Sequence, residues 1–598
     1  MTRHVRRRPP GRGSPPGRRS FPRAAEIETT MVRLVRLRTV MLFVALAAAM
    51  AGLGARLVSL QVVQADGLRA LADRQQLGTV PLEPRRGRLL DRSGQPLAVN
   101  VEAQSVYAVP SKISDPARFA RLVAPIVKLP PGDVRARLRP DRHFEWLARK
   151  VSSDIVERLR ALGLGEQLGF IQEARRVYPN GGLAAHVIGF AGIDNQGLTG
   201  AELGFDGSLR GSAGLARIER DALGRPRFDT RAIVREPVQG ADVVLTIDQV
   251  IQYIAERELD RALAETSAAW GTILVMDPRS GEMLAIATAP RFDPNAYRDA
   301  KAQQLNNPVL STIQEPGSTF KIILASAALQ SGAVRPRDVF IGTGQLKVPG
   351  GYIIKEAQGR NYPRQTLGEI IRRSSNVGAA MVAGRVGTPR FHETIRRFGF
   401  GEPTGIDLPG EAPGLVPALE EWRGSRLYTA AFGQGISVTP LQILRAAAAI
   451  ANDGVLTRPH VMRAVRDSEG RALVVTAPEA VRQVIAPEVA RAVLAMMEDA
   501  VERGTGTQAR IDGYRVAGKT GTAQKPSPYG GYLSNSYVVS FVGIVPSDRP
   551  QLAILVLLDG PRGVHYGGTT AAPIFKAVAT QVLWHLRVPP AATYSLSR

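Results

Sequence analysis

Sixteen consecutive positions from Val40 to Ala55 carry no charged or strongly polar side chain, and beyond Arg56 the apolar run resumes through Leu57, Val58 and Leu60. At about 1.5 Å per residue the uninterrupted part reaches about 24 Å, short of the ~30 Å hydrocarbon core of a bilayer. The continuation supplies the rest, with Arg56 able to snorkel to the interface, so residues 39–62 read as a single membrane-spanning helix. A cleaved signal peptide is the rival, because Ala49-Met50-Ala51 offers small residues; the length of the stretch favours an uncleaved anchor. Across residues 63–240 the pattern is mixed. Pro81 to Asn100 reads as two short strands joined at Asp91-Arg92-Ser93-Gly94, helical segments follow around Pro116–Val127 and Ser153–Leu162, and Glu219 to Thr246 returns to strands and turns. No nucleophile stands beside a base here, so this region is expected to be an α+β module without chemistry of its own.

From residue 241 the periodicity changes. Ile247 to Thr266 has the apolar stripe of a helix, and Gly271–Asp277 with Glu282–Thr288 form a hairpin around Pro278-Arg279-Ser280-Gly281. Far downstream, Tyr537–Val545 and Gln551–Leu558 repeat that design around residues 546–550, and Tyr514–Thr522 adds a fifth strand. Between these β segments the pattern is helical over Phe320–Gln330, Leu367–Arg373, Val377–Val386, Arg390–Phe398, Leu441–Asn452 and Pro487–Val501. Strands at both ends with helices between predict an α+β fold, a five-stranded antiparallel sheet packed on a helical block over residues 241–588, with 589–598 as a C-terminal tail.

Charge adds an orientation. Of the net +24, residues 1–38 hold +9, eleven arginines against Glu26 and Glu28. Nucleic-acid binding is one reading of such a tail, but no aromatic residues alternate with its arginines and an apolar span follows at once. A disordered, basic cytoplasmic flank accounts for it better, placing everything after about residue 63 outside the membrane. The chain contains no cysteine, which excludes disulfides, thiolate catalysis and Cys-ligated metals, and its seven histidines are too scattered to suggest a metal site.

Candidate chemistry centres on Glu315-Pro316-Gly317-Ser318-Thr319-Phe320-Lys321. Ser318 is a good residue with which to start a helix, and three residues on, Lys321 shares its face, so hydroxyl and amine can meet. A nucleophile beside a base at the positive end of a helix dipole is the arrangement covalent catalysis requires. No other Ser-x-x-Lys occurs, and the chain has 10 Lys against 67 Arg, so lysine here is a choice: arginine cannot surrender a proton.

Ser374-Ser375-Asn376 and Lys519-Thr520-Gly521-Thr522 follow, 56 and 201 residues after Ser318. With these three motifs in this order the chain resembles the class B penicillin-binding proteins, peptidoglycan D,D-transpeptidases of the bacterial envelope. The likeness extends to Arg86-Gly87-Arg88, Asp91-Arg92-Ser93-Gly94, His186-Val187-Ile188-Gly189-Phe190 and Thr439-Pro440-Leu441-Gln442. It implies a pedestal domain of the dimerisation type over residues 63–240, a transpeptidase fold after it, no cofactor, and β-lactams as inhibitors. It further implies that Ser318 attacks the bond between two D-alanines, that Lys321 takes its proton, and that Ser374 relays a proton to the leaving amine. Asn376 would fix Lys321 and the substrate amide, and Lys519 would lower the Lys321 pKa by its charge and attract the peptide carboxylate. Gly521 would let the peptide lie along the strand, Thr520 and Thr522 would contact its carboxylate, and the N–H groups of Ser318 and Thr522 would form the oxyanion hole. The Arg-Arg-Ser-Ser-Asn-Val-Gly context is more similar to the cell-division, FtsI-type branch than to the elongation branch. That branch implies a glycosyltransferase of the SEDS type and other division proteins as partners in the inner membrane.

Rival readings remain in the same stretches. Gly513 to Thr520 matches the phosphate-loop pattern G-x-x-x-x-G-K-[ST], but that motif requires a helix directly after it, where a Gly- and Pro-containing segment stands. A β-lactamase would be far shorter, no segment resembles a glycosyltransferase domain, and a sensor would need a cytoplasmic output domain. A hydrolytic carboxypeptidase uses the same three motifs.

Overall fold

The computed structural model describes residues 24–142, 144–220, 226–563 and 566–590. The expected tail at 1–23 and the end at 591–598 lie outside these. The chain forms two compact units. The first comprises Met1–Val80 and Ala216–Val234. Its helix Ala24–Val58 begins well before residue 39, so residues 24–38 are helical where disorder was expected. Met31–Val63 is apolar enough to cross a membrane, and none of its residues is buried. The unit also holds a helix, Ala65–Gln76, and a sheet of Leu77–Leu82, Gly214–Arg220 and Pro226–Arg235, in that order.

The second unit comprises Pro81–Leu215 and Arg235–Arg598. Its central sheet has β1 (Trp270–Met276), β2 (Met283–Ala289), β3 (Ala517–Pro526), β4 (Tyr532–Val545) and β5 (Leu552–Asp559) in the antiparallel order β2-β1-β5-β4-β3. Both hairpins lie where the pattern put them, and β3 is the sheet edge. Every residue of β5 is buried, which requires cover on both faces. On one face lie α1 (Gln249–Thr266) and a C-terminal helix, packed through Ile251, Leu259, Phe541, Val556, Phe575 and Val582. On the other lie α2 (Lys321–Gln330), α3 (Leu367–Arg373), α4 (Asn376–Val386), α5 (Pro440–Ala451), α6 (Pro487–Arg503) and their neighbours. All twelve residues of α5 are buried, and its two polar side chains are hydrogen-bonded, Gln442 to the Glu402 and Pro413 carbonyls and Arg445 to that of Thr457.

The expected five-stranded antiparallel sheet packed with helices is present, and helices cover both of its faces. The C-terminal helix, α7 (Gly567–His585), escapes prediction because it opens on two glycines and contains Pro573, poor helix formers chosen for contact. A Cβ on Gly567 would come within 2.4 Å of the Gly521 carbonyl oxygen, and one on Gly568 within 2.2 Å of that of Thr505.

A seven-stranded sheet ties the region before residue 240 to the rest. Its path runs Ala472–Val475, Met462–Arg466, Asp242–Leu245, Leu89–Leu90, Pro96–Ala108, Glu145–Val151, and Leu168–Val177 pairs with Pro96–Ala108. Arg86-Gly87-Arg88 locks this junction. The Arg86 side chain is buried, donating to Glu202 at 2.6 Å and Asp206 at 2.5 Å, and Arg88 donates to Asp242. Gly87 passes so near Ala241 that any Cβ would collide with its carbonyl.

Candidate active site

Ser318 lies in a tight turn, Gly317–Phe320, that leads straight into α2. This corrects its expected role as a helix-capping residue: its side chain caps nothing and makes no hydrogen bond among the described residues. The turn is held from several sides. Gly317 has φ +58 and donates its N–H to the Gly433 carbonyl, and a Cβ on Gly433 would lie 2.2 Å from the Gly317 oxygen. The Glu315 carboxylate, buried, accepts from the Gly435 N–H at 2.8 Å and from the Tyr532 hydroxyl at 3.1 Å. A Cβ on Gly317 would touch the Thr522 carbonyl at 3.1 Å, so the turn stands directly against β3.

Lys321 and Ser318 do not hydrogen-bond to each other, contrary to the direct pairing their spacing suggested. The Lys321 ammonium is fully buried and points to the second motif: it donates to the Ser374 carbonyl at 2.6 Å, Asn376 Oδ1 at 2.8 Å and Ser374 Oγ at 3.3 Å. That motif is a helix-to-helix corner. A Thr366–Glu369 capping box starts α3, which ends at Ser374 in the left-handed conformation, φ 58. Ser375 then caps α4 by accepting from the Gly378 N–H at 2.9 Å. A non-glycine residue held left-handed costs roughly 1–3 kcal/mol, and here it turns the carbonyl and hydroxyl of Ser374 together toward Lys321.

Lys519, on β3 and also fully buried, completes the array by donating to Ser374 Oγ at 2.9 Å and to the Thr520 carbonyl at 3.1 Å. One hydroxyl thus bridges two lysines, whose nitrogens are at most about 6 Å apart. Two like charges at that distance repel by roughly 3 kcal/mol at an effective dielectric of 20. Burial, the leading cause, pushes Lys321 down to about 7, while the Glu356 charge pulls the other way. Burial, then the Lys321 charge, holds Lys519 well below its ordinary range. Ser318, Ser374 and Asn376 are each half-exposed, in contrast to the two lysines. A partly neutral amine pair that shares one hydroxyl can move a proton without importing a base.

The remaining predicted residues divide. Gly521 lies on the edge strand with no room for a side chain: a Cβ would meet Ser540 Oγ at 2.2 Å. Thr522 is half-exposed, and its hydroxyl accepts from the Gly567 N–H at 3.2 Å. Thr520, expected to face a substrate carboxylate, is instead buried, its hydroxyl 2.9 Å from that of Thr505. Strand β3 runs on past Lys519-Thr520 to Pro526, so the helix a phosphate loop needs is not there. Glu356 was missed from sequence: its carboxylate accepts from the N–H groups of Asn376 and Val377 and from the Ser375 hydroxyl, beneath the corner. Among the described residues, no group of three or more His, Asp or Glu could hold a metal ion.

Comparison with known proteins agrees with this architecture. Residues 271–580 match the model of the penicillin-binding protein transpeptidase domain, and residues 81–245 that of the penicillin-binding protein dimerisation domain. The chain is 37% identical over 543 residues to stage V sporulation protein D of Bacillus subtilis, covering 90% of this chain and 83% of that protein. It is 33% identical over 553 residues to the peptidoglycan D,D-transpeptidase FtsI of Escherichia coli, covering 91% of each. Among solved structures, penicillin-binding protein 3 of Mycobacterium tuberculosis, complexed with aztreonam, superposes with a TM-score of 0.68 at 30% identity, covering 86% of this chain and 98% of that one. With both domain types in order and relatives matched over nearly their whole length, the chain belongs to the class B penicillin-binding proteins.

Proposed function

We propose that this chain cross-links peptidoglycan stem peptides in septal wall synthesis, through an acyl-enzyme on Ser318. The observation that carries the reading is the Ser374 hydroxyl shared by Lys321 and Lys519, with Ser318 in the turn that leads directly into Lys321. Neutral Lys321 takes the Ser318 proton as its Oγ attacks the carbonyl between two D-alanines; the N–H groups of Ser318 and Thr522 receive the developing oxyanion, worth about 3 kcal/mol per donor. The C–N bond breaks, the departing D-alanine amine takes a proton relayed through Ser374, and an acceptor amine then attacks the ester with the same groups working in reverse. Asn376 holds Lys321, and Lys519 and Thr522 attract the terminal carboxylate. The donor peptide extends the sheet along the free edge of β3. Thr520 supports this wall from behind.

The same array is the target of β-lactams, which acylate Ser318 in place of the peptide. Residues 39–62 anchor the chain in the inner membrane, with 1–38 cytoplasmic, the pedestal to residue 240 and the transpeptidase domain at 241–588 outside. A SEDS-type glycosyltransferase and other division proteins are the partners of the septal reading. The test is intact-mass analysis after β-lactam treatment, with peptide mapping. One adduct on Ser318, absent from Ser318→Ala together with cross-linking, is expected; an adduct that persists in that variant overturns the assignment. Depletion tests the septal role: filaments support it, and rounded cells refute it.

A further inference from the structure

Glu356 follows the short strand Ile353–Lys355, away from every motif read in the sequence, and its side chain is buried. A buried carboxylate needs donors or a counter-charge, and this one has both. Its Oε2 accepts from the Asn376 N–H at 2.8 Å, and its Oε1 from the Val377 N–H at 3.3 Å and from the Ser375 hydroxyl. The two N–H groups belong to the first turn of α4, where a helix favours negative charge. The preceding carbonyl, of Lys355, accepts from Asn376 Nδ2 at 3.4 Å, while Asn376 Oδ1 accepts from Lys321. Glu356 thus holds the Asn376 backbone, and its neighbour the Nδ2 end of the amide whose oxygen holds the buried amine.

The charges that bear on Lys321 are few. Lys519 approaches from β3 and Glu356 from beneath the corner. Arg372 and Arg373, on the preceding helix, are both committed to Glu369, and Lys355 is exposed. Among the described residues, Glu356 is therefore the carboxylate whose charge bears on the buried Lys321.

We propose that Glu356 is a positioning residue for the acyl-transfer reaction, clamping the Ser374–Asn376 corner and supplying the negative charge that sets how readily Lys321 gives and takes a proton. This rests on Lys321 acting as the base for Ser318. Removing the charge lets Lys321 lose its proton more easily, so the acid limb of the acylation profile moves to lower pH. Removing the Ser375 hydroxyl leaves the carboxylate less compensated, and the limb moves to higher pH.

The experiment measures acylation of the full chain in detergent by a fluorescent penicillin against pH, for the wild type, Glu356→Gln, Glu356→Asp and Ser375→Ala. The expected result is a limb about one pH unit lower for Glu356→Gln, substantially restored by Glu356→Asp, and a shift of opposite sign for Ser375→Ala. A packing defect would lower the plateau without moving the limb. Coincident limbs, or shifts of the same sign in Glu356→Gln and Ser375→Ala, overturn the proposal. Should Glu356→Gln fail to fold, the upward shift in Ser375→Ala decides alone, and its absence refutes the idea. Labelling of Ser318→Ala at another residue would instead mark failure of the underlying site assignment.

Discussion

The depressed Lys321 amine makes the pH dependence of acylation the most direct physical test of the site. Burial brings its pKa from 10.5 to about 7 in a side chain with no exposed surface. That shift amounts to about 5 kcal/mol of preference for the neutral form at 1.36 kcal/mol per unit. At pH 7.5 an ordinary lysine is neutral in about one molecule in a thousand, whereas this one is neutral in about three of four, a gain of roughly 700-fold in competent base. The neutral form dominates above the folded pKa, so the reactive population grows as pH rises and saturates. Stopped-flow acylation by a fluorescent penicillin should therefore fall close to tenfold per unit below about pH 7 and stay flat from about pH 8 to 9. A rate independent of pH from about 5.5 to 9, or one still climbing past pH 9, would refute a base prepared by burial.

Other consequences follow from the geometry. Ser374→Gly removes the strain of a left-handed serine, so its melting temperature should hold or rise while acylation drops about a hundredfold or more; parallel calorimetry and labelling would show whether the two separate. Gly433→Ala would drive a methyl against the Gly317 carbonyl and displace the Ser318 turn. Labelling should fall at least tenfold with the rest of the fold retained by circular dichroism, and full labelling would show that the turn yields. Arg86→Ala strips the buried Glu202 of one of its two arginines and leaves the Asn195 and Glu202 carbonyls without their donor. It should cost about 3–5 kcal/mol in denaturant unfolding, with penicillin labelling of the folded protein unchanged; a loss below about 1 kcal/mol contradicts the clamp.

What could be read beforehand was local. The turns at Pro278–Gly281 and around Pro546 carried both hairpins, and Leu367–Arg373 matched a helix because apolar spacing and a Thr–Glu box agree there. Helix α7 was illegible for the opposite reason: Gly567 and Gly568 serve a tertiary contact at the expense of propensity. The pairing of Met462–Arg466 with Asp242–Leu245 joins segments more than two hundred residues apart, and no local periodicity records such a partner. At the site, the motif residues could be named, but not that Ser374 is left-handed or that its oxygen, rather than that of Ser318, receives both lysines. Glu356 gave no signal at all, since an isolated acid in a loop takes its meaning only from the corner folded over it.

The strand order β2-β1-β5-β4-β3 also governs how the domain is born. A ribosome releases the β1–β2 hairpin early, yet residues 290–516 must follow before β3 begins, and β5, the partner of β1, is the last strand to arrive. Trp270–Met276 spends that interval with one edge unpaired, and only the face that α1 covers is supplied with a partner. Nascent chains stalled anywhere before residue 552 have no means of completing their sheet, and holdases or proteases, rather than the fold, decide their fate.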